Sequence, residues 1–225
     1  MKCWQALLLL AVTTAALAGC GGGSSSNGEA SKSPAQILAD AKQAAHDAGS
    51  VRISGTIHDS GQTIGVDLSL TSAASGGSLT LHGSKVDIVR VGRTVYIRGG
   101  AAFYKSVGAG TAGSLLAGKW LKAPTTAQDF SSLAALTQLD AFLTQVLKPS
   151  GKISKGGEST VDGQKTIQLK DGQGGSLFVA TTGKPYPVEL SGSSGRQGEL
   201  KLTDWGAATA PTAPKHAIDI SKLGG

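Results

Sequence analysis

The chain has 225 residues, with 21 Lys+Arg against 15 Asp+Glu, a formal charge of +6. Its basic residues are scattered, without Lys/Arg runs or interleaved aromatics, which excludes nucleic-acid binding and leaves a solubilising surface with some leaning towards anionic headgroups. Glycine is abundant at 33 residues and aromatics make up only 4%, so the composition predicts many turns and bent strands rather than an aromatic-filled core.

The N-terminus reads as a targeting segment. Lys2 is the one charge before Cys20, and an apolar run opens at Leu7-Leu8-Leu9-Leu10 and continues to Leu17. A charged n-region followed by an apolar h-region is the layout of a secretory signal peptide, and the run is too short for a transmembrane helix of about 20 residues. The stretch Leu17-Ala18-Gly19-Cys20 then resembles a bacterial lipobox. That resemblance implies cleavage before Cys20 and a diacylglyceryl group on its sulfur. The alternative, an ordinary signal peptide with an incidental cysteine, would leave a lone secreted thiol. Cleavage also removes Cys3, so the mature chain has no second cysteine, no internal disulfide and no thiolate metal site. The expected organisation is a signal peptide over 1–19, a lipidated Cys20 with a flexible Gly/Ser tether over 20–32, and one domain over 33–225.

Ser33-Pro34 opens a helix: Ser33 caps it and Pro34 suits its first turn. Ile37, Leu38, Ala41, Ala44, Ala45 and Ala48 form its apolar stripe, and Gly49 stops it. The period then changes to two. Val51, Ile53, Gly55 and Ile57 alternate with polar residues, as do Ile64, Val66, Leu68 and Leu70, with Asp59-Ser60-Gly61-Gln62 as the hairpin between them. Further strands are predicted at 79–81, 86–91, 94–98 and 103–105. A second helix is predicted from Ala127 to Leu147, with Phe130, Leu133, Leu136, Leu139, Phe142 and Leu143 at helical spacing, ended by Pro149 and Gly151. A second meander follows at 159–161, 165–169, 176–181, 186–191 and 198–205. Asp162-Gly163 marks its first hairpin, and a last short strand runs through Ile218 and Ile220. Eight to eleven antiparallel strands with two good helices predict an α+β fold whose helices cover the apolar face of the sheet.

Two phrases carry a wider resemblance. One is Val91-Gly92-Arg93-Thr94-Val95-Tyr96-Ile97-Arg98, followed by Trp120. The other is Thr182-Gly183-Lys184-Pro185-Tyr186-Pro187-Val188-Glu189-Leu190, leading into Leu200-Lys201-Leu202-Thr203-Asp204-Trp205. With the order lipobox, helix, meander, helix, meander, the chain resembles actinobacterial lipoproteins of the LppX/LprG type, which share the half-barrel fold of the LolA/LolB lipoprotein carriers. The resemblance implies a strongly curved, unclosed antiparallel sheet wrapping helices around an apolar cavity. It also implies binding of lipid, glycolipid or lipoprotein acyl chains at the extracytoplasmic face of a bacterial membrane. Candidate lining residues are Ile64, Val66, Leu68, Leu70, Val95 and Ile97, with Leu133, Leu136 and Phe142 as a lid. The same side chains would equally form the core of a closed, ligand-free sheet.

His46, His58, His82 and His216 show no metal-binding spacing. No G-x-S-x-G elbow is present, and Gly108-Ala109-Gly110-Thr111-Ala112-Gly113 lacks the Lys-Ser/Thr ending of a phosphate loop. The expectation is a non-enzyme without cofactor. Its partners would be acyl chains and, through Cys20, the membrane, and no partner transporter can be named from the sequence. The competing reading is a scaffold or signalling lipoprotein acting through protein contacts. An apolar cavity of several hundred Å³ would favour the carrier, and a fully packed interior the scaffold.

Overall fold

A computed structural model describes residues 25–59, 61–107, 112–127, 135–192 and 196–222. Twelve strands lie among them: β1 Ser50–Asp59, β2 Gln62–Thr71, β3 Ala74–Leu81, β4 Ser84–Val91, β5 Thr94–Gly99, β6 Leu121–Pro124, β7 Ser154–Val161, β8 Gln164–Lys170, β9 Ser176–Ala180, β10 Pro187–Ser191, β11 Arg196–Thr203 and β12 Ile218–Asp219. They form one sheet in the order β12-β6-β5-β4-β3-β2-β1-β11-β10-β9-β8-β7. All neighbours are antiparallel except β12 and β6, which run parallel. The sheet does not close, because β12 and β7 are its two edges. The fold is the expected α+β half-barrel.

The two meanders are stitched together by β1 and β11, where Gly55 pairs with Leu200 and Ile57 with Gly198. Both glycines have positive φ, +143° and +146°, and a Cβ on either would run into the facing backbone carbonyl, Glu199 or Thr56. Side-chain-free positions at this seam let the two halves bend around their concave face.

That face holds the helices α1 Pro34–Ala48, α2 Ala101–Ser106, α3 Ala112–Leu116 and α4 Leu139–Val146. Ser33 and Gln36 make a reciprocal capping box at the start of α1, and Gly49 ends it, as the sequence predicts. Ile37, Ala41 and Ala45 of α1 are fully buried, and α1 packs against α4. The tight hairpins at Asp59–Gln62 and Val161–Gln164 also form as expected.

Four elements differ from expectation, one of them the short helix α3, whose residues carry no helical signal in the sequence. Residues 103–105 belong to the helix α2, not to a strand. A strand would send Phe103 and Tyr104 to opposite faces, yet both are buried, edge to face at 5.2 Å. Tyr104 Oη accepts the Gly99 N–H at 3.3 Å, and a Cβ on Gly99 would collide with the Phe103 ring, so a helical turn brings both rings back over one glycine. Strand β6 was not predicted. Its four residues contain Lys122 and Pro124, and only Leu121 and Ala123 face inward. Of the helix predicted over 127–147, the described residues place helix at 135–136 and 139–146, while Gln138 between them is extended with φ −96° and ψ 117°. The cause of this break is Arg90. Its buried guanidinium donates from Nε to the Thr137 carbonyl at 2.9 Å, and to the carbonyls of Gly92 and Thr71 and the Ser75 hydroxyl. A carbonyl claimed by arginine points out of the helix that would otherwise use it.

Residues 26–32, which composition assigns to the tether, lie against the domain. Ser26 bridges to Thr182, and the Asn27 N–H donates to the Thr181 carbonyl at 2.9 Å. Glu29, nearly fully buried, takes the Lys32 ammonium at 2.6 Å, which also meets Asp40 at 2.7 Å. Among the described residues no helix is long and apolar enough to cross a membrane.

Candidate functional site

The concave face is not evenly filled. Under the first meander the inward residues Leu68, Leu70, Leu79, Val86, Ile88 and Val95 are essentially inaccessible, and Phe103 and Tyr104 of α2, which packs on β4 and β5, are buried in the same core. Under the second meander lies a cavity of about 260 Å³. Its floor is Leu169 of β8, Leu177 of β9, Leu190 of β10 and Leu200 of β11, with Ile57 of β1 at the seam. Its roof is Leu38 of α1 with Val146 and Leu147 at the end of α4, and Pro149 and Ile153 complete one side. Period-two alternation supplies the floor and the helical repeat supplies the roof. Two apolar surfaces face each other here, and no aromatic ring stands between them.

The mouth lies at one end of the strands, among Lys170, Asp171, Gly175, Ser176, Ser191 and Gly192. Asp171 shapes it. One of its oxygens accepts the N–H groups of Gln173 at 2.9 Å and Gly175 at 2.8 Å, and the other accepts Ser150 N–H at 3.2 Å. Burial works to raise its carboxyl, but these donors together with Gly174 outweigh burial and hold it below the ordinary aspartate value. The carboxylate thereby ties the β8–β9 turn to the segment after α4. The Ser26–Thr182 bridge sits beyond the opposite end of β9, so the N-terminal arm joins the domain at the end remote from the mouth.

The residues proposed from sequence fall elsewhere. Leu68, Leu70, Val95, Ile97 and Phe142 are in the packed core, and Val66 packs against it. Ile64 is half-buried and pairs with Ile57, and Leu136 is 37% exposed. None of these eight borders the cavity. Leu133 and Cys20 lie outside the described residues. The residues that border this cavity were present in the sequence as the inward set of the second meander, but its alternation is the same as that of the first. Among the described residues no group of His, Cys, Asp or Glu is arranged to hold a metal.

No protein-family model matches the chain, and no curated protein matches it. Solved structures do. LprF from Mycobacterium bovis superposes with a TM-score of 0.57 at 14% identity, covering 80% of this chain and 96% of that one. The Mycobacterium tuberculosis lipoprotein LppX superposes with a TM-score of 0.50 at 15% identity, covering 78% of this chain and 97% of that one. At such identities the likeness is one of fold: the chain has the half-barrel of LppX-type proteins over most of its length.

Proposed function

We propose that this chain is a membrane-anchored extracytoplasmic lipoprotein that takes an acyl chain into the cavity and carries or presents it. The observation that carries this reading is the 260 Å³ space lined by aliphatic side chains of α1, α4 and five strands. An aliphatic lining sets no hydrogen-bond pattern, so it discriminates little between acyl chains, and each buried CH₂ contributes about 0.8 kcal/mol. That term, summed over a chain, offsets the entropy lost on binding. The volume falls short of the several hundred Å³ expected of a carrier and of the roughly 300–1,000 Å³ of drug-sized ligand pockets, so it suits part of one chain rather than several. The lipobox-like Leu17-Ala18-Gly19-Cys20 supplies the anchor, and the likeness in fold to the lipoprotein LppX supports the same reading.

The test is native mass spectrometry of the full chain expressed in a bacterium that processes lipoproteins. The expected species begins at a diacylated Cys20 and carries one acyl lipid per protein. A ligand-free protein that takes up no lipid when offered it would favour the scaffold reading instead. A precursor of unchanged mass, identical to a Cys20→Ala variant, would remove the anchor.

A further inference from the structure

Residues 26–32 run along the second meander from one end of its strands towards the other. At the end remote from the mouth, Ser26 bridges to Thr182, and the Asn27 side chain donates to the carbonyls of Ala180 at 3.0 Å and Gly183 at 3.1 Å. Glu29 is buried against the domain. Nearer the mouth, the Lys155 ammonium donates to the carbonyls of Ala30 at 2.9 Å and Lys32 at 3.1 Å. Lys155 stands next to Ser154, the partner of Lys170 at the mouth. Helix α1 then begins at Pro34 and ends just before Ser50, which starts β1 at the remote end. The first turn of α1 therefore points towards the mouth. By folding back, the arm moves the point where the chain leaves the domain from Ser33, on the mouth side, to Ser26, at the opposite end.

We infer that this fold-back aims the mouth away from the membrane that holds Cys20, so that acyl lipid is exchanged with a second lipid surface facing the mouth. This rests on the reading that Cys20 carries the anchor and that the cavity takes an acyl chain. A domain of about 190 residues is roughly 40 Å across. With the arm docked, the chain from Cys20 to Ser26 reaches at most roughly 20 Å. To turn its mouth onto its own membrane, the domain would have to lift Ser26 to its upper pole, roughly 40 Å away. The chain is too short for that. With the arm undone, the chain from Cys20 to Ser33 would reach roughly 45 Å, and from a point nearer the mouth. The hydrogen bonds of the arm thus decide between the two orientations.

The experiment anchors the full lipidated chain in vesicles of phosphatidylcholine with phosphatidylglycerol. Uptake of a diacyl lipid with a diazirine in one chain is read as photo-adducts on the cavity residues Leu177 and Leu190. The labelled lipid is placed either in the anchoring vesicles or in separate vesicles without protein. A linker too short to span two sites gives an effective concentration near zero, so uptake from the separate vesicles should exceed uptake from the anchoring ones by on the order of tenfold. Inserting about twelve Gly/Ser residues between Ser24 and Ser25 leaves the docked arm intact and adds roughly 40 Å of reach. In that variant, uptake from the anchoring vesicles should rise to the level seen from the separate ones. Equal uptake from both sources in the wild-type chain would overturn the orientation, as would an insertion that changes nothing. Uptake from detergent-dispersed lipid but from neither vesicle would overturn exchange with a lipid surface and leave acyl binding standing. A chain that takes up no lipid even from detergent would overturn the cavity reading itself, and one that does not float with the vesicles would overturn the anchor.

Discussion

The two halves of the sheet share one strand pattern and differ in what covers them. The first meander carries Ile88, Val95 and Leu70, all essentially inaccessible, in one buried cluster with Phe103 and Tyr104. The second carries Leu169, Leu177, Leu190 and Leu200 against the ends of two helices, and a cavity remains. Large rings are spent elsewhere in that half: Tyr186 and Trp205 stack on each other at 5.2 Å, and the Trp205 indole N–H donates to the Pro187 carbonyl. In this fold the hollow is created by where bulky side chains are absent, and the strand alternation is indifferent to it.

The largest effect is expected where the packed half is closed. Arg90→Ala would remove the donor that meets the buried Thr137 and Thr71 carbonyls and the Ser75 hydroxyl, and losing such buried hydrogen bonds costs about 1–3 kcal/mol each. The loss should exceed about 3 kcal/mol by urea denaturation, with α4 detaching first in hydrogen exchange. A pair of truncations then measures the contrast itself. Ile88→Ala, deep in the packed half, should cost about 2–5 kcal/mol, and Leu177→Ala, already facing the cavity, should fall at or below the bottom of that range. Equal losses would mean that the two halves are equally packed. A pair of enlargements sharpens it from the other side. Val95→Phe has no room and should lose about 1–3 kcal/mol. Leu190→Phe projects into free volume and should leave the melting temperature unchanged or raised while abolishing lipid uptake.

The smallest effect concerns the outer surface of the second half. Burial, with Glu199 close by, raises the Glu189 carboxyl above its ordinary value, and Lys201 only partly opposes this. A raised acid contributes its stability fully below the unfolded value and loses it as pH rises through the folded one. Glu189→Gln should therefore raise the melting temperature slightly at pH 7, and the gain should vanish below about pH 4. A gain that persists into acid would refer the effect to packing rather than charge.

Much of this architecture is legible in the sequence. Capping residues, period-two alternation and the Asp162-Gly163 hairpin are local signals, and they gave α1 and most strands within a few residues. Three things were not local. The helix α2 depends on two rings sharing Gly99, and β6 depends on its neighbours more than on its own residues. The break before α4 depends on an arginine some fifty positions away in sequence. Arg90 did leave a trace, because the alternation Val86, Ile88, Arg90 puts a charge at an inward position, which calls for buried acceptors. The cavity left no such trace. Its position follows from which half receives the aromatic helix α2, and no single strand carries that information.

The central claim is that the acyl chain enters under the second meander. An acyl lipid with a diazirine near its terminal methyl, photolysed on the full chain and mapped by peptide sequencing, tests it most directly. The account predicts adducts on Leu177, Leu190, Leu200 and Val146, suppressed by unlabelled lipid. Adducts on Leu68, Leu70, Val95 or Ile97, or labelling that unlabelled lipid does not compete away, would contradict it.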